Sequence, residues 1–194
     1  MKALSEDGFR TYGMHKNLVI KNCTVKNMRG GFEVRTPTGP RLENCQAQGC
    51  ERGFWVSTGA SVIKCRADAQ YGPALYVEGE SAKVEIELVA GKGTLQGVVH
   101  TLAAISGKGH QISLTGEGQV GQTPAVPVLI GYSAPGMGEN MVASSQREAK
   151  DIVLRNETSQ PVKIGSKAGT IQLVSRGPVI ENLGKRVTVI NNTP

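Results

Sequence analysis

The chain has 194 residues, with 22 Lys+Arg against 16 Asp+Glu, a formal net charge of +6, 25 glycines and 4% aromatic residues. That length suits one domain, spanning 1–194, with a core large enough to stand without staples. No Gly-X-Y period, heptad run or apolar stretch near the ~20 residues of a membrane helix is present, which excludes collagen, coiled-coil and helical membrane classes.

The charge is uneven. Residues 1–66 hold 11 Lys+Arg and 5 Asp+Glu, whereas residues 67–194 hold 11 of each. Seven of the eight aromatics (Phe9, Tyr12, Phe32, Phe54, Trp55, Tyr71, Tyr76) lie before residue 77, and only Tyr132 lies beyond it. A basic, aromatic-rich end and a neutral remainder suggest a working end and a scaffold. Valine (20) and isoleucine (11) together far outnumber leucine (12), and stiff β-branched side chains between Gly and Asn punctuation predict many short strands.

Taken in chain order, the strands repeat. Gly8-Phe9-Arg10-Thr11-Tyr12 opens a series continued by Gly31-Phe32-Glu33-Val34-Arg35-Thr36, Gly53-Phe54-Trp55-Val56-Ser57-Thr58, Ala74-Leu75-Tyr76-Val77-Glu78 and Gly97-Val98-Val99-His100-Thr101. A second strand type alternates with it: residues 18–25, 41–47 and 61–67, with looser echoes at 151–156 and 186–191. A repeat near 22 residues with several short strands is the signature of a β-solenoid. Asn22 and Asn44 sit at a bend where the left-handed conformation suits Asn, and stacking would place their side chains one above the other. Lys64 takes that place in the third repeat and predicts a local distortion. Residues 132–148 break the pattern and read as a loop insertion, with a short helical turn expected near 144–150.

The four cysteines, Cys23, Cys45, Cys50 and Cys65, have neither zinc-ligand nor small-domain disulfide spacing. Cys23, Cys45 and Cys65 read as an inward column, with a Cys45–Cys65 bridge compatible but not needed. No metal site and no cofactor is expected. His100 falls on an inward slot, His110 reads as surface, and His15 lies in the turn beside the basic face. Gly91-Lys92-Gly93 and Gly107-Lys108-Gly109 read as turns, because no helix follows them. Basic and acidic residues are interleaved without an RNA-binding pattern, so nucleic acid is not an expected partner.

The Asn-Cys bends (Asn22-Cys23, Asn44-Cys45) and the Gly-Phe strands resemble the right-handed parallel β-helix of the pectate-lyase-like superfamily. The resemblance covers residues 8–131 and, more loosely, 149–191. It implies an all-β fold, a single-stranded right-handed parallel β-helix of about 22 residues per coil. It also implies a secreted, periplasmic or cell-surface parent protein. No signal peptide opens the chain, and the first strand starts almost at Met1, so the chain is expected to be the C-terminal part of a longer protein.

Alternation along the strands predicts Phe9, Phe32, Phe54, Leu75 and Val98 inward. Outward columns follow: Arg10, Glu33, Trp55, Tyr76, Val99, and then Tyr12, Arg35, Ser57, Glu78, Thr101. In the resembled superfamily this face carries the substrate groove. Aromatics suit sugar rings, and guanidinium groups suit carboxylates. The expected partner is therefore an acidic, uronate-containing polysaccharide. Candidate catalytic residues are Arg10, Tyr12, His15, Glu33 and Arg35, and candidate substrate-binding residues are Lys16, Arg52, Trp55, Tyr76 and Glu78. A lyase- or epimerase-like enzyme is the leading expectation, ahead of a hydrolase, because Arg, Lys, Tyr and His outnumber paired carboxylates on this face; such chemistry needs a base beside a neutralising cation. Hydrolysis needs two flanking carboxylates, and Glu33 with Glu78 or Asp7 are the available pairs. The calcium-holding Asp cluster of pectate lyases cannot be built from Asp7, Asp68 and Asp151, and no polygalacturonase or epimerase motif is complete. A non-catalytic carbohydrate-binding or adhesin scaffold is the rival reading.

Overall fold

A computed structural model of the chain describes residues 6–69, 73–90, 101–116, 127–132 and 145–191. Within them run β1 (Phe9–Thr11), β2 (Val19–Lys21), β3 (Thr24–Lys26), β4 (Gly30–Val34), β5 (Arg41–Glu43), β6 (Gln46–Cys50), β7 (Arg52–Val56), β8 (Ser61–Ala69), β9 (Leu75–Val77) and β10 (Lys83–Ala90). They are followed by β11 (Ala103–Ile105), β12 (Gly107–Lys108), β13 (Gln111–Thr115), β14 (Val128–Ile130), β15 (Ala149–Asn156), β16 (Val162–Ile164), β17 (Ala168–Ser175), β18 (Val179–Asn182) and β19 (Lys185–Asn191).

The described chain is all-β and forms two sheets. The first contains β1, β4, β7, β9, β11, β14, β16 and β18 in that spatial order; the second holds the remaining strands. The chain passes from one sheet to the other and back, and every strand of the first sheet pairs in parallel with its counterpart in the next circuit. This alternation is compatible with a β-helix-like fold. Parallel sheets bury their shared face, and the core lies between the two sheets.

Phe9, Phe32, Phe54 and Leu75 stand in register, and the three phenylalanine rings stack with centroids 5.2 and 4.8 Å apart. The spacing of the Gly-Phe repeat therefore carries the chain through its first circuits. The next register partner of Leu75 is Ala103, at the end of a longer circuit. Most of the strand expected at 97–101 lies outside the described residues; the place beside β9 is held by β11, with Ala104 next to Tyr76, and Thr101 lies buried ahead of that strand. The Gly97 pattern imitates the repeat, but pairing follows the apolar run 102–105, which is fully buried. Gly91-Lys92-Gly93 and His100 fall outside the described residues.

The Gly-Phe motif has a packing cause. A Cβ on Gly53 would lie 2.2 Å from the Ala74 carbonyl oxygen and 2.7 Å from the Ala67 Cβ. The backbone of the next circuit on one side and Ala67 of the second sheet on the other leave no room here for a side chain. Asn22 and Asn44 are left-handed (φ 54° and 53°), and Asn44 Nδ2 donates to Asn22 Oδ1 at 2.8 Å. Lys64 keeps the same backbone (φ 51°) and ends the side-chain ladder. The expected distortion at Lys64 is a register shift towards the next circuit: Val84 pairs Val62 and Ile86 pairs Cys65, so Ile63 and Lys64 of β8 stand against Glu85 alone.

Three further expectations are corrected. His110 is not on the surface but fully buried. Its Nδ1 accepts from the Ala82 amide at 3.0 Å and its Nε2 donates to the Ser106 carbonyl at 2.9 Å, and burial holds it neutral by pushing its pKa down. Residues 145–150 are not helical: Gln146 bridges antiparallel to Tyr132, and β15 begins at Ala149. Most of the expected insertion, 133–144, lies outside the described residues. Gly107-Lys108 forms the short strand β12 rather than a turn. All four cysteines are free, with Cys45, Cys50 and Cys65 buried. Burial pushes the Cys65 thiol up to about 11, so it packs as an apolar residue.

Gly53→Ala is expected to destabilise the fold by about 1–3 kcal/mol through overpacking against backbone, measured as a lowered urea midpoint. An unchanged midpoint would contradict the crowding at this position.

Candidate functional site

The outer face of the first sheet begins with β1, β4, β7 and β9. Register aligns Arg10, Glu33, Trp55 and Tyr76 across them, as the alternation requires. Two positions on stand Tyr12, Arg35, Ser57 and Glu78. Because the strands are in register, these side chains meet sideways rather than project singly.

Glu33 is the hub. Its side chain is 6% exposed. Oε1 accepts from the Tyr12 hydroxyl at 2.7 Å and from Arg35 Nη1 at 3.2 Å. Oε2 lies 4.0 Å from both Arg10 Nε and Arg52 Nη2. Burial alone would raise its pKa, but the hydrogen bonds from Tyr12 and Arg35 and the charges of Arg52 and Arg10 win, and the carboxyl stays below its ordinary value. Arg35 bridges the circuits: Nε lies 3.3 Å from Glu78 Oε1, and its guanidinium lies 4.3 Å from the Trp55 ring centroid and 5.4 Å from that of Tyr12. Trp55 Nε1 donates to Glu78 Oε1 at 2.9 Å, and Trp55 meets Tyr76 edge to face at 5.0 Å. Tyr76 is buried on this face, with its hydroxyl 3.3 Å from Glu78 Oε2 and 3.5 Å from Ser106 Oγ. Arg10 Nε donates to the Tyr12 hydroxyl.

Asp7 completes the edge. Its side chain is 1% exposed, and Arg10, Arg52 and Arg29 stand 3.4, 3.5 and 3.8 Å from its oxygens. Arg29 also reaches Glu6 at 3.5 Å. Four guanidinium groups (Arg10, Arg29, Arg35, Arg52) thus face four carboxylates (Glu6, Asp7, Glu33, Glu78), and the network is balanced. The positive excess of the N-terminal third lies elsewhere. Lys21, Lys26, Arg41 and Lys64 are exposed on the strands and bend of the second sheet, where Lys21 and Arg41 share the single carboxylate of Glu43.

Eight of the ten expected site residues therefore come together: Arg10, Tyr12, Glu33, Arg35, Arg52, Trp55, Tyr76 and Glu78. His15 and Lys16 lie in the exposed turn after β1. The backbone of His15 is fastened by Thr36 and Thr38, but among the described residues neither side chain joins the network. Arg29, Glu51 and Ser106 were not foreseen. Arg29 precedes Gly30-Gly31-Phe32 as Arg52 precedes Gly53-Phe54, and that parallel was the available signal. Glu51 is held above its ordinary pKa by burial, against the charges of Arg52 and Arg29. Ser106 is recognisable only once β11 is in its true register.

Beneath Glu33, Arg52 and Trp55 there is a gap of about 10 Å³, room for one water at most. What solvent meets are Tyr12, 43% exposed, with Arg10 at 46% and Arg35 at 35%. Among the described residues no cluster of His, Cys, Asp or Glu could hold a metal ion. Comparison with models of known protein families finds no match, and comparison with curated proteins finds no significant match.

Glu33 also makes stability depend on pH. Its folded pKa lies below the ordinary 4.5, so its contribution is complete above that value and is lost as pH falls through the folded value. Urea midpoints should drop on acidification below 4.5, and Glu33→Gln should flatten that part of the profile while lowering stability at neutral pH. Identical acid profiles for both proteins would refute the role given to Glu33.

Proposed function

We propose that the chain is a right-handed parallel β-helix of the pectate-lyase-like kind that binds a polysaccharide along the outer face of its first circuits. The observation that carries this reading is Arg35, held between the Tyr12 and Trp55 rings and tied to both Glu33 and Glu78. A guanidinium fixed between two aromatic rings is a rigid, flat platform, and little conformational entropy is lost when a ligand lies on it. The exposed Tyr12 ring suits the C–H face of a sugar, and free N–H groups on Arg10 and Arg35 suit its hydroxyls and carboxylates. The ligand class is a uronate-containing glycan, and the parent protein is secreted, periplasmic or on the cell surface. Charge balance in the network makes stacking and hydrogen bonding the main contributions, so affinity should depend weakly on salt.

Binding without turnover is favoured over hydrolysis. Glu33 and Asp7 are buried and ion-paired, so neither can flank a scissile bond, and a Glu33 held ionised cannot act as a general acid at neutral pH. A second reading, lyase or epimerase chemistry, is favoured by Tyr12. Its exposed hydroxyl accepts from Arg10 and donates to Glu33. In that reading Tyr12, its proton lost to solvent, takes the proton α to a uronate carboxylate neutralised by Arg10 or Arg35.

One panel separates the readings. The protein is titrated with polygalacturonate, alginate and a neutral glucan, and ultraviolet absorbance of unsaturated product is followed. The expected result is saturable binding to a polyuronate without product, weakened roughly tenfold by Trp55→Ala or Arg35→Ala. Product abolished by Tyr12→Phe would establish the enzymatic reading instead, and absence of binding to every glycan would refute both.

A further inference from the structure

The last circuits carry a concavity where β16 hands the chain over to β17. Its volume is about 530 Å³, within the range of small-ligand sites. Lys150, Lys167, Lys185 and Arg186 line it, with Glu148 as the only carboxylate among the lining residues. All four cations are exposed. None of them makes an ion pair among the described residues.

Register explains the shape. Lys150, Gly169 and Lys185 occupy one column across β15, β17 and β19. Two lysines therefore stand two strand spacings apart, about 10 Å, with no side chain between them. The next residues along, Asp151, Thr170 and Arg186, are left-handed (φ 54°, 56° and 57°). At this bend two successive residues escape burial on each strand instead of one. The middle strand offers only Gly169 and Thr170, while its neighbours offer long side chains. The floor is low and the walls are long and mostly positive, with Glu148 the carboxylate among them.

Gly169 is not required by its backbone, which is not left-handed. An added Cβ would meet nothing closer than the Lys185 carbonyl oxygen at 3.6 Å, an ordinary contact. A side chain would fit there without strain, and its absence is what keeps the gap open. Cations gathered in a concavity repel one another, and a multivalent anion between them relieves that repulsion. Lysine serves tetrahedral oxyanions as a point charge and arginine as a fork. The hydroxyls of Thr170 and Ser166 add neutral hydrogen-bonding groups.

We infer that this corner is a binding site for a small ligand, of sugar size, bearing two or more phosphate- or sulfate-type groups. It lies on the last circuits, where residues 145–191 hold 8 Lys+Arg against 4 Asp+Glu, and it shares no residue with the outer face of β1, β4, β7 and β9. Its truth does not depend on polysaccharide binding there.

The test is isothermal titration of the full chain with tripolyphosphate and, separately, with a trisulfated disaccharide, using inorganic phosphate as the single-group reference. Saturable one-to-one binding is expected for at least one of the two oligoanions, about tenfold or more tighter than inorganic phosphate, and weakened by added salt. The arm that saturates distinguishes a phosphorylated from a sulfated ligand. The double variant Lys150→Ala/Lys185→Ala should weaken binding by roughly tenfold or more. Gly169→Leu should block it, Gly169→Ala should preserve the melting temperature, and Arg35→Ala should leave binding unchanged. No saturation by either oligoanion, or undiminished binding by the lysine double variant, overturns the inference. Should Gly169→Leu fail to fold, the lysine variant decides, because both lysines are exposed.

Discussion

Parallel, in-register stacking is the constraint on which the rest of this protein depends. Each residue lies on its counterpart about 4.8 Å away, so a side chain's main neighbour is the side chain at the same position of the next circuit. Apolar positions answer by repeating themselves: Phe9, Phe32 and Phe54 form one stack. Bends answer with Asn on Asn, joined by a hydrogen bond along the stack. Where the neighbouring circuit and the facing sheet both crowd the backbone, as at Gly53, no side chain fits.

Charged positions cannot repeat themselves in this way, since like charges at that spacing repel. On the outer face of the first sheet, acids and bases therefore alternate. Arg10 lies beside Glu33, and Arg35 beside both Glu33 and Glu78. The aromatics fill the remaining places, and the face becomes a neutral, rigid mosaic. The last circuits show the opposite outcome at the β16–β17 corner. There lysine stands across from lysine with glycine between, and repulsion is left uncompensated around a hollow. One stacking rule thus produces a balanced surface at one place and an anion-seeking one at another.

Charge composition and charge location part company as a result. The positive excess of the N-terminal third suggested a basic ribbon beside the aromatics. Arg10, Arg29, Arg35 and Arg52 are indeed there, but each meets carboxylates, and the excess stands on the second sheet. Conversely, the neutral remainder holds a cationic hollow, because neutrality over a long stretch says nothing about which residues gather at one corner.

Much was legible in the sequence. The Gly-Phe repeat and the Val/Ile alternation established parallel strands, the inward phenylalanines and the outward columns, since side chains alternate on a strand whatever lies around it. Most of the residues expected at the site followed from that alternation alone. The sequence could not foresee that Ala103–Ile105 would take the place beside β9, because Gly97-Val98-Val99 satisfies the same pattern and only pairing reveals the partner. It placed His110 on the surface because the groups that satisfy its ring, the Ser106 carbonyl and the Ala82 amide of the preceding circuit, leave no mark in local periodicity. Local periodicity, then, determined the strands and their faces. Ion pairing across circuits, the burial of His110 and the hollow around Gly169 were decided by tertiary structure, because each depends on which residues, distant in sequence, the stacking brings side by side.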